Sequence, residues 1–251
     1  MRITRRRAAA LVTSASALSL IGGQARATEA VDAAIVLAAD VSRSINDEEF
    51  SLQRQGYSSA IASPRVMEAI HSGPKGAIAL LFLEWAGEGE QRVVVEWATI
   101  KTDADAAKFA AALLAAPRSF VGRTAIGTAI DYSMNVLGES GVVADRRVID
   151  VSGDGTNNQG RVVTEARDDA LKTGVVINGL SIFNRRAAAL GGYLALHTNP
   201  PGGLEKYYRE NVIGGLGAFV LPIDDFRSFG EAMIRKLVSE IAGIAPATQY
   251  G

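Results

Sequence analysis

The stretch Ala33–Ser44, AAIVLAADVSRS, decides how this chain is read. An unbroken apolar run, Ala33–Ala39, ends abruptly in Asp40-Val41-Ser42-Arg43-Ser44. Such a run suits a central strand of a parallel sheet, covered on both faces. Along a strand, alternate side chains face opposite ways, so Asp40, Ser42 and Ser44 converge only where the strand gives way to a turn. Carboxylate and hydroxyl oxygens are hard donors, suited to Mg²⁺, Mn²⁺ or Ca²⁺ rather than to zinc or copper. Short polar turns after strands are common, so D-x-S-x-S gains meaning only if other segments supply further oxygen donors.

Outward from this strand, strand and helix patterns alternate. Asn46 and Glu49 form a capping-box pattern opening a helix to about Ala62. Ser63-Pro64 starts a short helix toward Ile70. Ala77–Trp85 reads as a second buried strand, and Arg92–Ala98 returns from a Glu88-Gly89-Glu90 turn as its hairpin partner. Thr102 caps an alanine-rich helix to Ala115, Pro117–Arg123 is a loop, and Thr124–Leu137 is helical. Arg147–Ser152 is a strand that runs into Gly153-Asp154-Gly155. A helix over Val162–Lys172 stops at Gly174, and Val175–Ile182 is a strand. Asn184–Gly203 is irregular or holds a short helix. Leu204–Val212 is a short helix, Ala218–Pro222 a last strand and Asp225–Ile241 a closing amphipathic helix. This alternation predicts an α/β fold: a doubly wound, mostly parallel sheet with one antiparallel edge strand and helices on both faces.

Residues 1–27 are expected to be an export signal. Arg2, Arg5, Arg6 and Arg7 precede the short apolar stretch Ala8–Ile21, and Ala25-Arg26-Ala27 is a cleavage pattern. Thr4-Arg5-Arg6-Arg7 also resembles a twin-arginine signal. Cleavage after Ala27 leaves 224 residues, in which 21 basic residues face 27 acidic ones, a net charge of −6. That balance argues against general nucleic-acid binding. The chain has no cysteine, which excludes thiol catalysis and cysteine zinc sites. The expectation is one domain over 28–245, a tail over 246–251, and a periplasmic or secreted location.

In doubly wound sheets, ligands bind beyond the carboxyl ends of the strands at a switch point. Asp40, Ser42 and Ser44 fall on that rim. So do the Gly122-Arg123-Thr124-Ala125-Ile126-Gly127 segment and the Ser152-Gly153-Asp154-Gly155 turn. D-x-S-x-S, a Thr in G-x-T-x-I-G and an Asp in S-G-D-G together resemble the metal-ion-dependent adhesion site of von Willebrand factor A domains. The resemblance runs from Ala33 to about Ile241. With Tyr207–Gly215, it extends to a family of exported bacterial proteins of uncharacterised function.

The resemblance implies that Ser42, Ser44 and Thr124 ligate Mg²⁺ (or Mn²⁺), the threonine directly or through a water depending on conformation, while Asp40 and Asp154 hold its waters. One coordination position would stay open for an acidic group of a protein partner. Carboxylates held back from the ion leave it under-neutralised and attractive to an anion. The chain is therefore expected to be a binding module and not an enzyme. Two alternatives are a metal-dependent phosphoester or ester hydrolase using Asp40 and Asp154, and an accessory structural domain with an idle metal site.

Other residues read more plainly. Thr124 can also serve as a helix N-cap. Asp150, inside Val148–Val151, needs a buried partner and is read as structural. Glu84, Glu88 and Glu90 are read as a solvated turn, with an acidic rim as the functional alternative. Arg123, Arg185 and Arg186 are candidate rim charges for a partner's acids. Trp85 and Trp97 are read as core. His71 and His197, the only histidines, form no metal-spaced pair, and no G-x-S-x-G elbow or phosphate loop occurs.

Overall fold

A computed structural model describes residues 30–246. The expected export signal over 1–27, and the tail from residue 247 onward, lie outside the described residues. Strand β1 (Val31–Asp40) is buried along its whole length and sits near the middle of a six-stranded sheet. The others are β2 (Ile78–Trp85), β3 (Gln91–Ile100), β4 (Ala144–Gly153), β5 (Val176–Ile182) and β6 (Val220–Ile223), in the order β3-β2-β1-β4-β5-β6. All pairings are parallel except β2 with β3, the expected hairpin at one edge.

The pleat of β1 explains its composition. Ala33, Ile35, Leu37 and Ala39 enter one core, and Ala34, Val36 and Ala38 enter the other. The first core lies under α1 (Asp47–Ile61), α2 (Pro64–His71), α3 (Asp103–Ala115) and α9 (Phe229–Ala242). The second lies under α4 (Ile126–Glu139), α5 (Val163–Lys172) and α8 (Leu204–Asn211). Asn46 and Glu49 form the expected capping box at α1. Thr102 and Asp105 form another at α3.

Several local expectations are corrected. Thr124 is not the cap of α4, which begins at Ile126 without any side-chain cap. The segment after β5 holds two short helices, α6 (Arg185–Ala189) and α7 (Gly192–Thr198). The closing helix is preceded by a 3-10 turn over Phe226–Ser228, capped by Asp225.

The acidic hairpin edge is also corrected. Glu84 is fully buried and ion-paired to Arg54 at 2.5 Å, while its other oxygen accepts from the Ser119 N–H at 2.8 Å. Glu90 folds back to accept from the Gly87 N–H at 2.8 Å and lies against Gly122. Only Glu88 is exposed. Trp85 is buried, and Trp97 is half-buried with its indole N–H donated to Val136 O at 3.2 Å. Asp150 finds its partner in Lys236 of α9, 2.7 Å away.

The chain leaves β1 toward β2 on one side and leaves β4 toward β5 on the other. The switch point therefore falls between β1 and β4. Their parallel register pairs Ala39 with Ser152, so the ends carrying Asp40 and Asp154 lie side by side.

Candidate metal centre

The turn after β1 is held by backbone and guanidinium bonds. Val41 N donates to Trp85 O at 2.9 Å, and Arg43 N to Gly122 O at 2.9 Å. Arg118 Nη2 donates to the carbonyls of Val41, Ser42 and Ile45 at 2.8, 3.0 and 2.9 Å. With its carbonyls turned out to Arg118, the turn brings both serine hydroxyls together, 3.1 Å apart.

Ser44 Oγ donates to Asp154 Oδ1 at 2.6 Å, across the gap between β1 and β4. Asn184, two residues after β5, donates to the other Asp154 oxygen at 2.7 Å and to Ser44 O at 3.0 Å. Asp40 Oδ1 accepts from Ser42 N at 2.7 Å. Asp40 Oδ2 is buried without a hydrogen-bond partner, and so is the Tyr208 hydroxyl. Both face the backbone of Gly153, where a Cβ would stand 2.9 Å from the first and 2.7 Å from the second. Glycine is needed there because β4 passes so close to these groups.

The structure thus brings Asp40, Ser42, Ser44 and Asp154 into one hydrogen-bonded, almost wholly buried cluster. Thr124 is also buried, on the neighbouring loop that Arg43 ties in. No direct bond links it to the serines. Its Oγ1 lies 3.1 Å from Nε2 of His197, on α7. Its backbone is locked to the loop that follows the S-G-D-G turn: Thr124 N donates to Asn158 Oδ1 at 3.0 Å, and Asn158 N to Thr124 O at 2.9 Å.

The electrostatics of the cluster call for positive charge. Burial, reinforced by repulsion from Asp154, holds the Asp40 carboxyl well above the usual carboxylate range. Burial pushes Asp154 up to about 6, opposed by the hydrogen bonds from Ser44 and Asn184. Burial also raises the Tyr208 phenol and lowers the His197 imidazole, which is therefore neutral at pH 7. A buried carboxylate pair with one orphaned oxygen fits a divalent cation held mainly by hydroxyls. Among the described residues, no three His, Asp or Glu side chains form a metal-holding group by themselves, so the hydroxyls are essential to such a site.

Arg123 and Arg185 are exposed. Arg186 is less free than expected, because it pairs with Glu49 at 3.1 Å and donates to Ser44 O. Asn184, Arg118, His197 and Tyr208 were not evident as site residues in the sequence. Asn184 carries the clearest signal, a polar residue closely following a buried strand on the same rim. His197 carries none, since its nearest sequence neighbours are unrelated to the cluster.

Among curated proteins, none matches this sequence. Solved structures resemble it in fold. A proximal thread matrix protein from the mussel byssus is 17% identical, with a TM-score of 0.59 over 85% of this chain and 48% of its own. A second structure of that protein carries zinc in its MIDAS motif, the metal-ion-dependent adhesion site. A von Willebrand factor type A protein from Catenulispora acidiphila is 14% identical, with a TM-score of 0.58 over 85% of this chain and 43% of its own. The pilus adhesin SpaC from Lactobacillus rhamnosus GG is 9% identical, with a TM-score of 0.57 over 84% of this chain and 31% of its own. This chain spans about half or less of these proteins' lengths. The fold is that of a von Willebrand factor A domain. The profile of the family described as protein of unknown function DUF1194 matches residues 30–245, and the chain belongs to that family.

Proposed function

We propose that this protein is an exported, non-enzymatic binding module that engages an acidic group of a protein partner through a divalent cation. Ser42, Ser44 and Thr124 would ligate the ion, and Asp40 and Asp154 would stand behind its waters. The observation that carries this reading is the buried cluster at the switch point, with Asp40 Oδ2 left unpartnered. Bound there, the ion supplies a charge that two hydrogen-bonded carboxylates do not fully neutralise, and a partner's carboxylate completes its coordination. The exposed Arg123 and Arg185 are placed to meet further acids of such a partner. The mussel protein with zinc in its adhesion motif and the SpaC adhesin lend the reading support by analogy of fold. The N-terminal signal pattern, Arg5-Arg6-Arg7 followed by an apolar stretch and Ala25-Arg26-Ala27, supports a periplasmic or extracellular location. Among the described residues no helix is long and apolar enough to cross a membrane.

Capture from an envelope extract tests the partner. Immobilised protein should retain a specific protein in the presence of divalent cation, and EDTA or Asp154→Ala should release it. Retention that survives both treatments would contradict cation-mediated binding.

A further inference from the structure

We infer that His197 supplies a nitrogen donor to this cation site and shifts its preference from Mg²⁺ toward nitrogen-accepting cations such as Zn²⁺. The inference rests on the cation-binding reading above and concerns which ion the site selects. Oxygen-only donor sets suit Mg²⁺, Ca²⁺ and Mn²⁺, whereas an imidazole suits Zn²⁺ and the late first-row metals.

Three observations point to His197 as a donor. The first is spacing. Nε2 lies 3.1 Å from Thr124 Oγ1, the same separation as that between the Ser42 and Ser44 hydroxyls. Neighbouring donors around a six-coordinate ion with bonds of about 2.1 Å stand roughly 3 Å apart. The second is the other ring nitrogen. Nδ1 lies 3.1 Å from Thr156 Oγ1, and Thr156 N donates to the His197 carbonyl at 3.1 Å. A ligating histidine characteristically has its second nitrogen tied to an oxygen in this way, which leaves the lone pair on the first. With Nδ1–H donated to Thr156, the Nε2 lone pair faces the site.

The third is the space made for the ring. Nε2 lies directly over Gly155, the residue after Asp154, so a side chain there would displace the imidazole. Tyr193 stacks on the ring, with centroids 5.9 Å apart and planes at 4°. His197 is 5% exposed, its ring held at one edge by Thr156, on one face by Tyr193, and left with Nε2 beside Thr124 and Gly155. A histidine used only as core filling has no need of a glycine beneath its ring nitrogen.

The test uses the untagged, leader-free chain. Zn²⁺ and Mg²⁺ are titrated calorimetrically into wild type, His197→Ala and His197→Gln, with folding checked by urea denaturation. Loss of the imidazole should weaken Zn²⁺ by about tenfold or more while changing Mg²⁺ by less than about threefold. In parallel, Cu²⁺ is bound to His71→Ala, which leaves His197 as the sole histidine. Pulsed EPR should show an imidazole nitrogen coupled to the copper, and the signal should vanish when His197 is also replaced. No nitrogen coupling in His71→Ala, or an equal loss of Zn²⁺ and Mg²⁺ affinity, would overturn the inference and leave His197 as an orienter of Thr124. If folded wild type binds neither Zn²⁺ nor Mg²⁺, the cation-site reading itself fails.

Discussion

Glu84, Glu88 and Glu90 look alike along the hairpin, but their surroundings differ sharply. Glu84 shares a wholly buried ion pair with Arg54, which also donates to carbonyls after α3. Removing one partner leaves a buried charge uncompensated, and this costs about 3–5 kcal/mol. Glu84→Ala should lower the free energy of unfolding in urea by that amount, and Glu88→Ala by less than about 0.5 kcal/mol. Equal effects would show that the buried pair carries no such weight. The acidic spacing was visible in the sequence, but burial was not, because Arg54 is thirty residues away on another element. The same limit hid His197. Asp40, Ser42, Ser44 and Asp154 were legible because each ends or closely follows a recognisable strand. Thr124 was legible only through its pattern with them, and its contact with His197 depends on how α7 folds over the rim.

At the scale of elements, α9 is fastened to the sheet by charge as well as by apolar contact. Lys236 lies 2.7 Å from Asp150 and 2.5 Å from Glu240, with Asn178 donating to Glu240 at 2.9 Å. One lysine thus serves two buried carboxylates. Burial, aided by repulsion from Asp150, pushes Glu240 up to about 7. A carboxyl raised in the folded state binds more protons there than when unfolded. Its contribution to stability is fully present below its unfolded value near 4.5 and declines as pH rises through about 7. Glu240→Gln should therefore gain stability relative to wild type between pH 5 and pH 8, on the order of 2 kcal/mol, measured by urea denaturation. A difference between the two proteins that stays constant with pH would contradict this. The need of Asp150 for a partner was readable from its apolar neighbours; the identity of Lys236 was not, since helical periodicity marks a buried face without saying which charge lies on it. Arg118 acts similarly for the turn after β1, and loop residues of that kind leave no periodic trace.

At the scale of the molecule, the apolar runs and their spacing carried the α/β class, the hairpin edge and the helices on both faces, because a buried parallel sheet demands continuous apolar strands. Boundaries shifted where tertiary bonds extend an element, as in β4, which starts at Ala144 rather than Arg147. The two short helices after β5 escaped detection because neither is long enough to show a period. They cover the rim and bring His197 and Asn184 to the cluster, so the least legible stretch of sequence completes the site. All of this assembles one buried cluster of oxygen donors at the switch point, and cation binding there is the central claim. The direct test is thermal unfolding of EDTA-stripped protein with divalent cation added at about 100 times its dissociation constant. Wild type should gain about 2.7 kcal/mol, roughly 5–10 °C in Tm, and Asp154→Ala should gain nothing. An equal rise in both proteins, or no rise in wild type, would contradict the account.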